Sequence, residues 1–303
     1  MSQMVLVTGA AGGTQGSTGR LIALLLMERG IPVRALVHKV DARSDELRKR
    51  GAEVIEGDLL NPASVHAAMR NIKRAYFTYP VADGLMEAAA IFASAARDAG
   101  TELVVNNSQF QGLPGTPDFR DLQQAPTFRN FQHRLADRIF DWAEVGAVHL
   151  HAPPYYENVR ALVTPSIAEH NTVFLPWGDG SALIPLVGAE DVSRVAATLL
   201  ANTRVSSQRA YALVSEIPTV KEIVETLGNV LGRPIRYVSI TDEQWAEAVK
   251  ERINAHALDH LTHLWRYFRN RGAGVSVTDA IRTVTGQSPQ TLEEFFRARC
   301  PIN

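Results

Sequence analysis

A doubly wound α/β fold around a parallel sheet is the class this chain predicts, on three observations. Six short β-rich runs alternate with helix-length segments through the first half, the first run breaks straight into glycines before a leucine-rich helix, and the alternation fades after Pro153. The runs are "MVLVTG" (4–9), "VRALVH" (33–38), "EVIEGD" (53–58), "RAYFTYP" (74–80), "ELVVNNS" (102–108) and "AVHLHAP" (147–153). Between them Leu21–Arg29, Pro62–Arg70 and Leu85–Ala99 read as helices. Strand then helix, at a repeat of roughly 20 to 25 residues, is the form of right-handed βαβ crossovers.

Residues 1–153 are therefore expected to form one α/β domain, and 154–303 a smaller C-terminal α/β region that roofs the crevice at the strand ends. In that second part "PPYYEN" (153–158) reads as a loop and "WGDG" (177–180) as a turn. "GAEDVSRVAATLLAN" (188–202) reads as a helix opened by acids that suit its dipole, and it is allowed to return to the first domain. Further helices are expected over Val220–Leu231, Asp242–Lys250 and Leu258–Asn270, with Gly272 and Gly274 ending the last. There are no internal repeats.

With 31 basic and 32 acidic side chains the formal charge is -1, which offers no field for nucleic acid or an anionic membrane, so the expected partner is a small molecule. Cys300 is the single cysteine, which rules out an intramolecular disulfide or a cysteine metal site. The longest apolar run, Leu21–Met27, is far short of a membrane span, and no basic flank or cleavage signal opens the chain; a cytoplasmic location is expected. A homodimer and a regulatory protein partner both stay open.

The glycine loop carries the functional expectation. A dinucleotide-binding turn needs glycines to reverse tightly, to let bare backbone approach a pyrophosphate and to pack the following helix on the first strand. Gly9, Gly12 and Gly13 are the candidates for the turn and the approach, and Gly16 and Gly19 for the packing glycine. Counting back from Gly30 favours Gly19, so that 13–16 lengthens the turn and Thr14, Gln15, Ser17 and Thr18 become polar groups beside the phosphates. No lysine completes a P-loop. At the tip of the second strand stand His38 and Lys39, with Arg43 nearby and no acid at the tip itself; this favours NADP(H), while Asp41 leaves NAD(H) open. Asp58 and Leu59 end the third strand, where an adenine edge would lie.

The chemistry is less plainly written. None of the seven tyrosines has a lysine four residues later, and no lysine occurs between Lys73 and Lys221, so the Tyr-x-x-x-Lys dyad of short-chain dehydrogenases is missing. Thr78, Tyr79 and Pro80 end the fourth strand and Asn107 the fifth, at the expected nicotinamide end; Gln109, Phe110, Tyr155 and Tyr156 are the expected substrate pocket. His133 is the candidate proton donor, because an imidazole titrates near neutral pH, with Ser108 as the second catalytic candidate. Leu135, Ile139 and Trp142 are expected to pack inward from the His133 helix, with Trp142 and Trp245 as core anchors. His256, His260 and His263 share helical spacing but read as a solvated face, and no metal is expected.

On "VTGAAG…GR", "VRALV", "GDLLNPASV", "VVNNSQ", "QHRLADRIFDWAEVG", "PPYYEN", "AEDVSRVAATLL", "LGRPIRYV" and "VTGQSP", the chain resembles the NmrA-like group of atypical short-chain dehydrogenase/reductases over nearly its whole length. That group includes NADPH-sensing regulators, quinone reductases and triphenylmethane-dye reductases. The resemblance implies a Rossmann domain, a small C-terminal region and a cleft between them. Two departures stand out: the glycine loop is longer than G-x-x-G-x-x-G, and His151 replaces the group's common Arg. The expected function is an NADP(H)-dependent reductase passing hydride to a small quinone-like or aromatic acceptor. The alternative is a non-catalytic NADP(H)-binding redox sensor that acts through a protein partner.

Overall fold

Along the first strand, β1 (Val5–Thr8), Val5 and Val7 face one layer of helices and Leu6 the other, the period-2 alternation of a strand buried on both faces. The chain is seen in a computed structural model that describes residues 3–13, 17–110, 132–202, 208–271 and 276–300. After β1 come α1 (Thr18–Glu28), β2 (Val33–Val37), α2 (Ala42–Lys49), β3 (Glu53–Glu56), α3 (Pro62–Met69), β4 (Arg74–Phe77), α4 (Leu85–Asp98) and β5 (Leu103–Gln109). Then follow α5 (Gln132–Trp142), β6 (Val148–Ala152), α6 (Tyr156–His170), β7 (Thr172–Leu175), α7 (Ala189–Ala201), β8 (Ala210–Ala212), α8 (Val220–Leu231) and β9 (Arg236–Ser239). Four helices close the described chain: α9 (Asp242–Val249), α10 (Ala255–Arg271), α11 (Ala280–Thr285) and α12 (Leu292–Arg299).

Seven strands form one parallel sheet in the order β3-β2-β1-β4-β5-β6-β8. Direction reverses between β1 and β4, and the crevice beyond their carboxyl ends is where open α/β sheets bind ligands. On one face Ile22 and Leu26 of α1 and Val192 and Val195 of α7 cover Val5, Val7, Ala35 and Val105. Thus the 188–202 segment does lie against the first half, with Ser193 Oγ 3.4 Å from the Thr18 carbonyl oxygen. On the other face α3, α4 and α5 cover Leu6, Ala75 and Phe77, centred on Phe77, Phe92 and Phe140, whose ring centroids lie 5.0, 5.1 and 6.2 Å apart.

A second core belongs to the C-terminal half, where β7 and β9 pair in parallel and α6, α8 and α12 pack around Trp177, Trp245 and Trp265. Trp177 and Trp265 meet edge to face at 5.1 Å. Trp245 is the core anchor expected of it, but Trp142 is not: it is 71% exposed. The reason is helical phase, since the inward stripe of α5 runs through Ala136, Asp137 and Phe140, and Trp142 lies about 200° round from Phe140. Tyr156 opens α6 where a loop was expected. Gly272 and Gly274 fall outside the described residues, and α10 runs to Arg271.

Candidate functional site

β1 delivers the chain to the crevice at Thr8, and the glycines take over where side chains no longer fit. Gly9 has φ 64° and Gly12 φ 79°, and the Gly12 N–H donates to the Gly9 carbonyl at 3.0 Å, closing a tight turn. A Cβ on Gly9 would stand 2.9 Å from Thr78 Cγ2, and one on Gly19 would collide with the Thr8 carbonyl oxygen. Gly19 therefore lets α1 pack directly on the end of β1. Among the described residues nothing lies within 4 Å of a Cβ built on Gly13. Ser17 is left-handed at φ 52°, and its hydroxyl donates to the Gly13 carbonyl at 2.6 Å. The first turn of α1 holds no acidic side chain and no side-chain cap, leaving N–H groups free for an anion. Thr18 is turned inward instead, accepting a hydrogen bond from the buried Tyr76 hydroxyl at 2.8 Å. Thr14, Gln15 and Gly16 lie outside the described residues.

His38 and Lys39 stand exposed beyond β2. Asp41 is committed elsewhere: it caps α2, accepting from the Arg43 N–H at 2.9 Å, and its other oxygen takes the Arg43 guanidinium at 2.6 Å. Hydrogen bonding from Arg43 holds the Asp41 carboxyl below the usual carboxylate range. Arg43 Nη1 also donates to the Gly12 carbonyl at 3.2 Å, and Arg20 Nη1 donates to the Arg43 carbonyl at 2.8 Å. Two guanidinium groups thus flank the open side of the loop. Neither was carried as a site residue from the sequence, although Arg20 directly follows the packing glycine. At the third strand's end Asp58 Oδ1 accepts the Leu60 N–H at 2.9 Å, while Leu59 packs partly buried on the α3–α4 side.

The crevice continues into a cleft of about 1050 Å³ between the sheet and the C-terminal half. Thr78, Tyr79, Asn107, Ser108, Gln109 and Tyr155 line its sheet side; Leu162, Phe174, Trp245, Leu261 and Trp265 give it an apolar opposite wall. The Tyr155 hydroxyl donates to Asn107 Oδ1 at 3.1 Å, and Asn107 Nδ2 donates to Thr78 Oγ1 at 3.3 Å, so the ends of β4 and β5 and the start of α6 are tied together. Burial pushes the Tyr155 phenol well above its ordinary value. Among the described lining residues there is no aspartate or glutamate, and Arg252 is the one permanently charged side chain.

Two expected pocket residues, Tyr156 and Phe110, and one expected cofactor residue, Pro80, are not in the described cleft lining. Tyr156 is fully buried in the second core, its hydroxyl 3.0 Å from Glu216 Oε2 and 3.1 Å from the Gln290 carbonyl. Tyr155 and Tyr156 are consecutive at the start of α6, so one faces the cleft and the other faces away. Phe110 and Pro80 are not among the lining residues; Phe110 donates its N–H to the Ala152 carbonyl at 2.9 Å, and Pro80 is exposed.

His133 does line the cleft, but its acid–base character differs from the expectation. Burial drives its pKa down to about 4, with Asp137 pulling the other way and His256 and His151 adding to the fall. It is a neutral imidazole at pH 7, able to offer an N–H but not poised as an imidazolium. Ser108 Oγ is buried without a hydrogen-bond partner in good geometry, close enough to Asp137 to help hold that carboxylate ionised. Behind them sits a polar cluster unforeseen as a unit. Asn106 Nδ2 donates to Asp137 Oδ1 at 2.8 Å, His151 Nε2 meets Asp137 Oδ2 at 2.9 Å, and His149 lies between Asn106 and Asp141. Burial alone would raise the Asp137 carboxyl, yet the His151 hydrogen bond and the charges of both imidazoles keep it low. The departure at His151 thus forms part of the cleft's backing. His256 and His260, expected on a solvated face, are buried, at 2.8 Å from Asp83 Oδ1 and 3.4 Å from Gln109 Nε2; α10 turns this face onto the cleft.

A parallel sheet with a glycine turn, a helix N-terminus without a side-chain cap and a cleft at the switch in strand order is the layout in which open α/β folds hold dinucleotides. Residues 13–150 match the NAD(P)H-binding family. The chain is 26% identical over 296 residues to the NAD(P)H azoreductase of Xenophilus azovorans, covering 97% of both. It superposes on the triphenylmethane reductase of Citrobacter sp., solved with NADP(H), with a TM-score of 0.79 at 20% identity over 97% of this chain and 99% of that one. An NADPH-dependent quinone oxidoreductase from Escherichia coli, solved with NADPH, gives 0.78 at 17% identity over 96% and 98%. The likeness to these solved structures is one of fold, and it extends over nearly the whole chain.

Proposed function

We propose that this protein is an NADP(H)-dependent reductase that passes hydride to a flat, electron-poor aromatic or quinone-like acceptor. The observation that supports it most is the continuity of the glycine cradle with an apolar, aromatic-walled cleft at the carboxyl ends of β4 and β5. In this reading Gly9, Gly12, Gly13 and the start of α1 hold the pyrophosphate, with Ser17 closing the loop. His38, Lys39 and Arg43 take the 2′-phosphate, Asp58 and Leu59 border the adenine, and Thr78, Asn107 and Tyr155 position the nicotinamide. The cofactor supplies the hydride when bound. Residues 1–153 then serve as the cofactor domain and 154–303 as the acceptor region.

The preference for a phosphorylated ribose follows from Asp41, which is occupied as a helix cap and paired with Arg43 rather than free for a 2′-hydroxyl. The missing Tyr–Lys dyad suits an acceptor whose reduced form is a stabilised anion and needs little acid help; the neutral His133 and Ser108 orient and protect it. The activities of the azoreductase, triphenylmethane reductase and quinone oxidoreductase relatives agree with such an acceptor.

The test is calorimetric titration with NADPH and NADH, followed by a panel of quinones, azo dyes and triphenylmethane dyes. Tighter NADPH binding with turnover of at least one acceptor is expected. Tight NADPH binding with no turnover across the panel would replace the reductase with the redox sensor, and failure to bind either nucleotide would overturn both.

A further inference from the structure

Helix α9 separates its charges by face. Glu243 and Glu247 stand four residues apart on one side of the helix; Gln244 and Ala248 stand about 100° round the axis, with Arg252 four residues further on, past the helix end. The second set, not the first, lines the cleft. Its last member, Arg252, lies in the turn just after the helix. There Nη2 donates to the Ala248 carbonyl at 3.3 Å, and the guanidinium has no carboxylate partner among the described residues. Two nearby acids are paired with other cations: Glu247 with Lys250 at 2.6 Å, and Asp242 with Arg266 and Arg269 at 3.0 and 2.8 Å.

A planar guanidinium with most donors unspent, at the rim of an apolar cleft whose described lining carries no acid, is a receptor for a carboxylate, sulfonate or enolate oxygen. Ala248, the small residue between Gln244 and Arg252, lines the cleft as well. We propose that the cleft selects acceptors bearing an anionic substituent, which Arg252 holds while the aromatic body lies against Trp245 and Trp265. This deepens the reductase reading and rests on it for the word acceptor, but the recognition itself is a binding event. A cationic dye, by contrast, would bring its charge toward an arginine with no acid among the described lining residues to receive it.

The experiment uses redox-inert probes on the cofactor-free protein, so that it does not depend on turnover. Naphthalene-2-sulfonate and 2-naphthol are titrated by calorimetry at low and high salt. The sulfonate is expected to bind about tenfold more tightly than the naphthol, the usual size of a charge-assisted pair, and to lose much of that margin in high salt. Arg252→Ala should bring the ratio close to one and Arg252→Glu should invert it. A second measurement compares KM for 1,2-naphthoquinone-4-sulfonate and 1,2-naphthoquinone, with the same ordering expected. Equal binding of the two probes by the unaltered protein, or a ratio untouched by Arg252→Ala, would overturn the proposal. A preserved binding ratio with no turnover of either quinone would instead overturn the reductase reading and leave anion recognition standing.

Discussion

Tyr155 donates its hydroxyl hydrogen to Asn107 Oδ1 at 3.1 Å, and no lysine stands near to lower the phenol's pKa. Burial raises it instead, so the phenol is a fixed hydrogen-bond donor and not a proton source. Tyr155→Phe is expected to cost one hydrogen bond, about 0.5–1.5 kcal/mol, and to lower turnover by less than about tenfold. The kcat–pH profile should keep its shape between pH 6 and 9. Asn107→Ala should cost more, because it removes two hydrogen bonds at once, to the Tyr155 hydroxyl and to Thr78 Oγ1. Loss of turnover by about a hundredfold or more in Tyr155→Phe, a normal size for removing a general acid, would return that role to the tyrosine.

Gly19 and Gly13 give opposite forecasts from the same loop. Gly19→Ala drives a methyl into the Thr8 carbonyl and must push α1 off β1, so NADPH binding should fall below detection and thermal stability should drop. Gly13→Ala meets no described residue within 4 Å, and its φ is not left-handed. It is expected to fold with unchanged melting temperature, and any loss of NADPH affinity then reports a phosphate lying where the methyl now stands. Paired melting curves and nucleotide titrations decide both.

Arg43 links the tip of β2 to the glycine loop through Asp41 and the Gly12 carbonyl. Arg43→Ala should weaken NADPH about tenfold while changing NADH much less, since only one of the two carries the phosphate. Equal losses for both nucleotides would show that Arg43 shapes the loop without reading the ribose.

His133 makes stability depend on pH in a stated direction. Its folded pKa, about 4, lies below the ordinary histidine value of 6.5, so the unfolded chain binds the proton first as pH falls. Stability should therefore decline from about pH 6.5 down to about 4, by an amount of order 2–3 kcal/mol, with no contribution at neutral pH and above. Urea unfolding at pH 7 and 4.5 should show this loss, and His133→Gln should remove most of it.

Much of the first half was legible because its strands are buried on both faces and its helices carry apolar stripes. β1 to β4 and β6 fall within the expected runs, β5 runs one residue past its own to Gln109, and α1, α3 and α4 lie within two or three residues of their expected ends. α2 was not, because "ARSDELRK" is mostly charged and offers a single large apolar residue, Leu47, to the core, while the Asp41–Ser44 capping box starts the helix. α6 hid behind "PPYYEN" at its start and Pro165 inside it. At the site, residues on strand ends could be read from topology, whereas Tyr156, His256 and His260 depend on which way a helix turns against a second core. The Asp137 cluster was visible only in part: "VHLHA" places two histidines on one face of β6, but nothing in the sequence says that α5 will answer with a carboxylate.

The four tryptophans divide the molecule optically. Trp142 stands in water on the outer end of α5, while Trp177, Trp245 and Trp265 are enclosed, two of them on the wall of the cleft. The emission should therefore contain a red component open to iodide and a blue component closed to it. A molecule entering the cleft would dim the blue and spare the red, and in Trp142→Phe the remaining glow would belong wholly to the enclosed rings.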